Sequence, residues 1–153
     1  MAQPDSLRDV AFVVWERLLH APYKWGGDDP MSGVDCSGFV LEGLKAAGLV
    51  GRDFDTTAEG LLSQVFVKLV RVTHTEQLRR GMLVFWGRPG KPMHHVEVIY
   101  GLYPLAREMC VLTIGASGGG SATVSADAAV QQNAYVKIRP VVSGWAAALD
   151  PFS

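Results

Sequence analysis

The hydrophobic pattern of this chain changes its period once, and that change limits the folds open to it. Up to about residue 65 the apolar residues recur at helical spacing, as at Leu7, Val10, Val14 and Leu18. After that point short apolar runs alternate with turns that contain Gly and Pro, which is typical of strands. Helices followed by strands predict an α+β fold with an antiparallel sheet.

The boundaries of the predicted elements follow from caps and turn residues. A first helix is predicted from a cap at Asp5 or Ser6 to about His20, and a second from a cap at Asp35 to Gly48. The other predicted elements are a helix from Thr56 or Thr57 to about Gln64, a short helix within 125–133, and strands over 82–86, 95–100, 109–114 and 135–138.

Length and charge exclude several classes of protein. A chain of 153 residues, 48% of them hydrophobic, is expected to form a single domain over 1–153 with its own core. The formal net charge of -1 argues against nucleic acid as a partner. No apolar stretch approaches the ~20 residues of a membrane span, so no membrane insertion is expected. The N-terminal sequence has no signal-peptide pattern, which predicts a protein that is cytoplasmic at synthesis.

Cys36 is the strongest candidate for a reactive group. It lies where a glycine-rich loop meets the predicted second helix, and the free N–H groups of a helix N-terminus favour thiolate over thiol. Cys110, in an apolar strand, is expected to be a small core residue. The two cysteines have different contexts, so no disulfide between them is expected, and neither forms part of a CxxC motif.

Of the four histidines, His95 is the best placed to serve Cys36 as a base. His95 opens a predicted strand, and strand alternation places it on the same face as Glu97. A Cys36–His95 dyad is one reading of these positions. The other is that Cys36 is simply buried and that His95 only caps the edge of the strand.

Several ordered motifs resemble those of the NlpC/P60 cysteine peptidases. They are PYKWGG at 22–27, GVDCSGFV at 33–40, LRRGMLVFW at 78–86 and HVEVIYG at 95–101. The cysteine precedes the histidine, with a strand between them, as in that family. The resemblance extends from about residue 6 to 116, which is most of the chain.

The resemblance implies a papain-like fold in which the nucleophile helix packs on an antiparallel sheet. It implies that Cys36 is the nucleophile, that His95 is the general base and acid, and that Tyr23 lies beside the thiolate and shapes the oxyanion site. The implied reaction is hydrolysis of an amide bond in a peptidoglycan stem peptide, of the D-glutamyl–diaminopimelate type, through a thioester on Cys36.

No metal or organic cofactor is expected for this chemistry. The acidic loop at 26–33 lacks the Gly-Lys-Ser/Thr ending of a phosphate-binding loop and the ligand spacing of a calcium loop. Asp35 is expected to cap the helix, because a catalytic carboxylate next to Cys36 would oppose the thiolate charge. Trp25 is expected to cover a turn.

One position departs from the family pattern. A polar residue from the strand after the histidine strand usually orients the histidine, in a context like IHA, but here the corresponding residue is Gly115. Ser117 is the nearest candidate on the same face and is the predicted third site residue. Glu97 is the alternative, since it shares a face with His95.

Two settings and two rival functions stay open at this stage. A phage-derived tail or lysis component, carried on a particle or released by lysis, would meet peptidoglycan or envelope components; segments 115–120 and 134–140 also resemble phage-associated members. An intracellular recycling peptidase is the other setting. The rival functions on the same fold are a non-catalytic binding or assembly module, which the glycine at 115 would permit, and a Cys–His acyltransferase or amidase.

Overall fold

The first helix begins at a proline, one residue before the earlier of its two predicted caps. A computed structural model describes residues 3–153, and in it helix α1 spans Pro4–Arg17. Gln3 is the N-cap and makes no side-chain capping bond, so the predicted cap at Asp5 or Ser6 is wrong. Proline suits the first helical turn because its missing N–H would have no partner there. The helix also ends three residues before His20, which has a positive φ of 72°.

Helix α2 spans Cys36–Ala46 and has the predicted caps. The Asp35 carboxylate accepts a hydrogen bond of 2.7 Å from the N–H of Gly38. Gly48 follows the last turn with a φ of 74°, the left-handed conformation that ends many helices. The cysteine is therefore the first residue of this helix, as predicted.

The remaining helices are short. Helix α3 (Ala58–Gly60) is capped by the Thr57 hydroxyl and continues as a π-helical turn over Leu61–Val65, which together match the predicted third helix. Helix α4 (Ala126–Gln131) lies within the predicted 125–133 segment and is capped by Ser125. Within residues 3–153, no helix has the length and apolar character needed to span a bilayer.

An antiparallel sheet forms the second half of the chain, as predicted. A small hairpin precedes α2; its two strands, of two residues each, are β1 (Asp28–Asp29) and β2 (Gly33–Val34). The main sheet has five strands in the order β6-β5-β4-β3-β7. These strands are β3 (Leu83–Trp86), β4 (His95–Leu105), β5 (Glu108–Ser117), β6 (Tyr135–Pro140) and β7 (Ala147–Leu149).

Two features of the sheet were not predicted. Strands β4 and β5 extend beyond the predicted ranges as a hairpin that pairs Tyr103 with Cys110 and leaves Tyr103 exposed. Cys110 is consequently half-buried rather than a full core residue, and both cysteines are free. Strand β7 is short and begins with two alanines, so it carries a weak strand pattern, but it completes the edge beside β3.

The sheet carries apolar residues on both faces. One face packs against the helices through Val96, Val98 and Ile114. The other face carries a smaller cluster. Its buried members are Leu78, Met82, Val84, Trp86, Ile99, Val111 and Ala148.

Helices α1 and α2 approach closely because a glycine faces a tryptophan. Trp15 is fully buried, and its indole N–H donates to the Val40 carbonyl at 3.2 Å. A Cβ at Gly43 would lie 2.2 Å from Cε2 of that indole. The glycine therefore provides the space in which the ring rests on α2.

Gly43→Ala is expected to destabilise the fold even though alanine favours helices. Overpacking costs about 1–3 kcal/mol, and better helix propensity returns at most about 1 kcal/mol. Thermal unfolding should show a melting temperature lower by about 3 °C or more for each kcal/mol lost. Gly51→Ala is the control, because a Cβ at that position meets no atom of residues 3–153 within 4 Å. An unchanged melting temperature for Gly43→Ala would contradict this account.

Candidate active site

Glycines bring the loop before α2 against the start of the helix. A Cβ at Gly38 would lie 2.2 Å from the carbonyl oxygen of Gly27. That same carbonyl accepts a hydrogen bond of 2.9 Å from the N–H of Asp35. This close backbone approach fixes Cys36 at the first turn of α2, where only 9% of its surface is exposed. The first N–H groups of a helix have no partner within the helix, so Cys36 lies at its positive end.

Tyr23 lies close enough to this helix start to feel its charges. Its side chain is buried, and Gly119 packs on its ring so tightly that a Cβ there would lie 2.3 Å from Cδ1. Burial raises the pKa of the Tyr23 hydroxyl above its usual range, and the negative charges of Cys36 and Asp35 raise it further. The hydroxyl therefore stays protonated and is available as a donor.

Asp35 has the capping role that was predicted for it. Burial raises the pKa of this carboxyl, while hydrogen bonds from Gly38 and Ser37 act in the opposite direction. The Ser37 hydroxyl donates to Oδ1 at 3.2 Å. The Asp35 carboxylate therefore serves as the N-cap of α2.

The structure brings His95 and Cys36 together. Burial lowers the pKa of His95, but its interactions with the Cys36 thiol and the Glu97 carboxylate outweigh burial and raise that pKa to about 9. The His95 Nε2 lies 3.7 Å from Oε1 of Glu97. Nδ1 is therefore the ring nitrogen left to face the thiol. Trp86 packs beside the ring, with 5.4 Å between the centroids.

Glu97 is the most deeply buried charged side chain at the site, with 0% exposure. Its Oε1 accepts a hydrogen bond of 3.1 Å from Nε of Arg139, a residue that the sequence reading missed. Strand β6 alternates Tyr135, Lys137 and Arg139 on one face, and this pattern, once β6 is paired with β5, was the signal that could have located the arginine.

Ser117, the predicted third site residue, lies in the same region but is not joined to His95. Its side chain is buried, and its Oγ has no hydrogen-bond partner within residues 3–153. The same holds for Nε2 of His95. Ser117 therefore lies near the site but does not hydrogen-bond to the His95 ring.

A cleft of about 450 Å³ opens beside these residues. Trp25, which was expected only to cover a turn, is 54% exposed and lines this cleft. Sequence reasoning missed Trp86, His94 and Val142. The full lining is Tyr23, Trp25, Trp86, His94, His95, Ser117, Gly118, Gly119, Gly120, Arg139 and Val142.

The charged side chains near the cleft do not form a metal-binding set. Within the part of the chain that the structure describes, no three His, Cys, Asp or Glu side chains come together as ligands would. Cys36, His95 and Glu97 instead form a chain of groups in which each interacts with the next. Such an arrangement can ionise a thiol and hold the resulting imidazolium.

Solved structures of known proteins share this fold. The NlpC/p60 domain of the peptidoglycan hydrolase SagA aligns with a TM-score of 0.59 and 24% identity, over 94% of this chain and 97% of that domain. The P60 domain of the Mycobacterium avium subspecies paratuberculosis antigen MAP1204 aligns with a TM-score of 0.64 and 21% identity, over 98% of each chain. The peptidoglycan hydrolase RipB from Mycobacterium tuberculosis gives a TM-score of 0.65 and 18% identity, over 97% of this chain and 66% of that one.

Sequence comparison assigns the family. No curated protein matches the chain significantly. The family model for the NlpC/P60 family, however, matches residues 20–137, a stretch that contains Tyr23, Cys36 and His95. The fold and this match together confirm the resemblance noted in the motifs, and the chain belongs to the NlpC/P60 family.

Proposed function

We propose that this chain is a thiol hydrolase that cleaves amide bonds in peptidoglycan stem peptides, with Cys36 as its nucleophile. The observation that carries the proposal is the pairing of Cys36, at a helix N-terminus, with a half-buried histidine beside an open cleft. Two of the similar structures are described as peptidoglycan hydrolases, which supports this substrate class.

The reaction divides into two steps that the same histidine serves. The Cys36 thiolate attacks the amide carbonyl and forms a C–S bond, and the His95 imidazolium gives its proton to the leaving amine as the C–N bond breaks. Water then attacks the thioester while His95 accepts a proton from it. Expulsion of the thiolate releases the carboxylic acid and restores the ion pair.

We assign two donors to the oxyanion of each tetrahedral intermediate. One is the backbone N–H of Cys36, which is free because it lies at the start of α2. The other is the Tyr23 hydroxyl, whose raised pKa keeps its proton in place at neutral pH. Fixed donors of this kind reduce the barrier because they need no reorganisation during the reaction.

The cleft has features that suit an acidic stem peptide. Trp25 and Trp86 give it aromatic walls, and Arg139 adds a cation. The finer assignment, cleavage of a D-glutamyl–diaminopimelate bond, comes from the family resemblance. The phage-related setting is a further proposal, based on segments 115–120 and 134–140 alone.

Cys36→Ser is expected to abolish cleavage of purified muropeptides while leaving the fold intact. Loss of the nucleophile reduces turnover by at least about a thousand-fold. A serine hydroxyl is not ionised at neutral pH and is therefore a much weaker nucleophile than a thiolate. Products are measured by chromatography and mass spectrometry, and circular dichroism verifies folding. The matched control is Cys110→Ser, since Cys110 is the other free cysteine and lies on the β4–β5 hairpin.

The same assay separates the proposed function from its rivals. Binding of muropeptides without cleavage by the wild-type protein would favour a non-catalytic module. Transfer of the acyl group to an added amine or alcohol, in preference to water, would favour an acyltransferase. Cleavage that persists in Cys36→Ser would exclude Cys36 as the nucleophile.

Activity is expected to decline on the alkaline side with an apparent pKa near 9. His95 must be protonated to assist the leaving amine, and its pKa is raised to about 9 by Cys36 and Glu97 against the effect of burial. The imidazolium therefore persists through neutral pH and is lost as the pH rises through that value. A pH profile of kcat/KM measures this; an alkaline limb near 6.5, the ordinary value for histidine, would contradict the ion pair.

A further inference from the structure

The carboxylate of Glu97 is buried in the middle of the sheet yet fully surrounded by partners. Its Oε2 accepts a hydrogen bond of 3.2 Å from the Thr113 hydroxyl, and its Oε1 accepts one of 3.1 Å from Nε of Arg139. That same Oε1 faces Nε2 of His95 at 3.7 Å. Burying a carboxylate is costly unless it is paired, and this one lies between two cationic groups. The negative charge of Glu97 is therefore buried at a cost beside the His95 ring.

Gly115 provides the space that this carboxylate occupies. A Cβ at residue 115 would lie 2.6 Å from Cγ of Glu97 and 3.1 Å from its Cβ. Real side chains do not approach that closely, so a side chain at 115 and the side chain of Glu97 compete for one volume. The family resemblance placed a third polar residue at position 115. In this chain a polar group reaches the same volume from β4, the histidine strand itself.

We propose that Glu97 is the positioning residue for His95, and that residue 115 is glycine because Glu97 fills the space in front of it. This inference rests on the proposed function only in taking His95 as the partner of Cys36. Glu97 contacts neither the thiol nor the cleft, since it is completely buried and is absent from the cleft lining. Its effect on the reaction therefore passes through the histidine ring.

The geometry gives Glu97 two effects on that ring. A carboxylate facing Nε2 favours the neutral tautomer that carries its proton on Nε2, which leaves the Nδ1 lone pair for the thiol proton. After proton transfer the same negative charge stabilises the imidazolium. At 3.7 Å the interaction is a charge attraction rather than a hydrogen bond, and such an attraction is strengthened by burial.

Other charged groups near the ring also influence the charges of His95 and Glu97. Cys36 faces His95 from α2, while Arg139 and Lys137 act on Glu97 from β6. Burial raises the pKa of Glu97, but His95 and Arg139 outweigh burial and lower it. Arg139 therefore keeps the carboxylate ionised and shares Oε1 with the histidine. Within the described residues 3–153, the Ser117 hydroxyl has no hydrogen-bond partner, so it does not replace Glu97 in this role.

A measurement on the wild-type protein tests the proposal without any substitution. Two-dimensional ¹⁵N–¹H NMR of the ¹⁵N-histidine-labelled chain reports which ring nitrogen of His95 carries the proton. We expect the Nε2–H tautomer once the imidazolium deprotonates, near pH 9. A neutral His95 protonated on Nδ1 would overturn the proposal, because Glu97 would then face a bare nitrogen.

Glu97→Gln tests the charge in a side chain of the same shape. We expect the His95 pKa to fall by one unit or more, and alkylation of Cys36 by iodoacetamide at neutral pH to slow by about tenfold as the ion pair weakens. Mass spectrometry of the Cys36 peptide separates this signal from Cys110. Glu108→Gln, an exposed glutamate on β5, is the control. An unchanged His95 pKa and alkylation rate in Glu97→Gln would overturn the proposal, and more so if Ser117→Ala reduced both.

Substitutions at residue 115 test the shared volume. Gly115→Ala should displace Glu97 and reduce the His95 pKa and the Cys36 alkylation rate, while the control Gly51→Ala should change neither. Glu97→Gly should lose the effect, and the double variant Glu97→Gly with Gly115→Glu should recover most of it. A double variant no better than Glu97→Gly would overturn the shared-volume claim. Alkylation requires no turnover, so failure of this proposal and failure of the peptidase proposal remain distinguishable.

Discussion

The close approach of two backbone segments at Gly27 and Gly38 is the constraint on which the site depends. The carbonyl of Gly27 lies where a side chain at residue 38 would otherwise be, and it accepts the Asp35 N–H. Asp35 in turn caps α2 through Gly38. One set of contacts thus fixes the helix start, the orientation of its free N–H groups and the position of Cys36. Neither glycine could be exchanged without moving the nucleophile relative to the sheet.

The groups around Cys36 are organised by charge as much as by packing. Tyr23 is kept neutral by burial and by the negative charges near it, so it acts as a donor. His95 is kept cationic, although burial opposes this, because it lies between a thiol and a carboxylate. Arg139 balances the second of these negative charges. The neighbours of each group, rather than solvent, therefore keep it in the protonation state that the proposed reaction requires.

Much of this arrangement could be predicted from the sequence, because its signals are local. The cap at Asp35, the cysteine at the first turn of α2 and the histidine at the start of a strand each depend on a few consecutive residues. What failed depends on long-range pairing or on weak local signals. Strand β7 has a weak pattern of its own, and Arg139 becomes part of the site only when β6 pairs with β5. Helix α1 begins before the predicted cap because Pro4 lies in its first turn, where the missing N–H of proline costs nothing.

The gap at residue 115 shows why a site is better described by volumes than by positions. Along the sequence, Gly115 is a missing polar residue, and Ser117 on the same strand is the nearest replacement. In the sheet, the neighbouring strand supplies the nearest side chain, and cross-strand neighbours lie closer than residues two apart along a strand. Glu97 and Gly115 are therefore one feature divided between β4 and β5. The loss of a side chain on one strand and the gain of a carboxylate on the other leave the histidine with a negative partner in the same place.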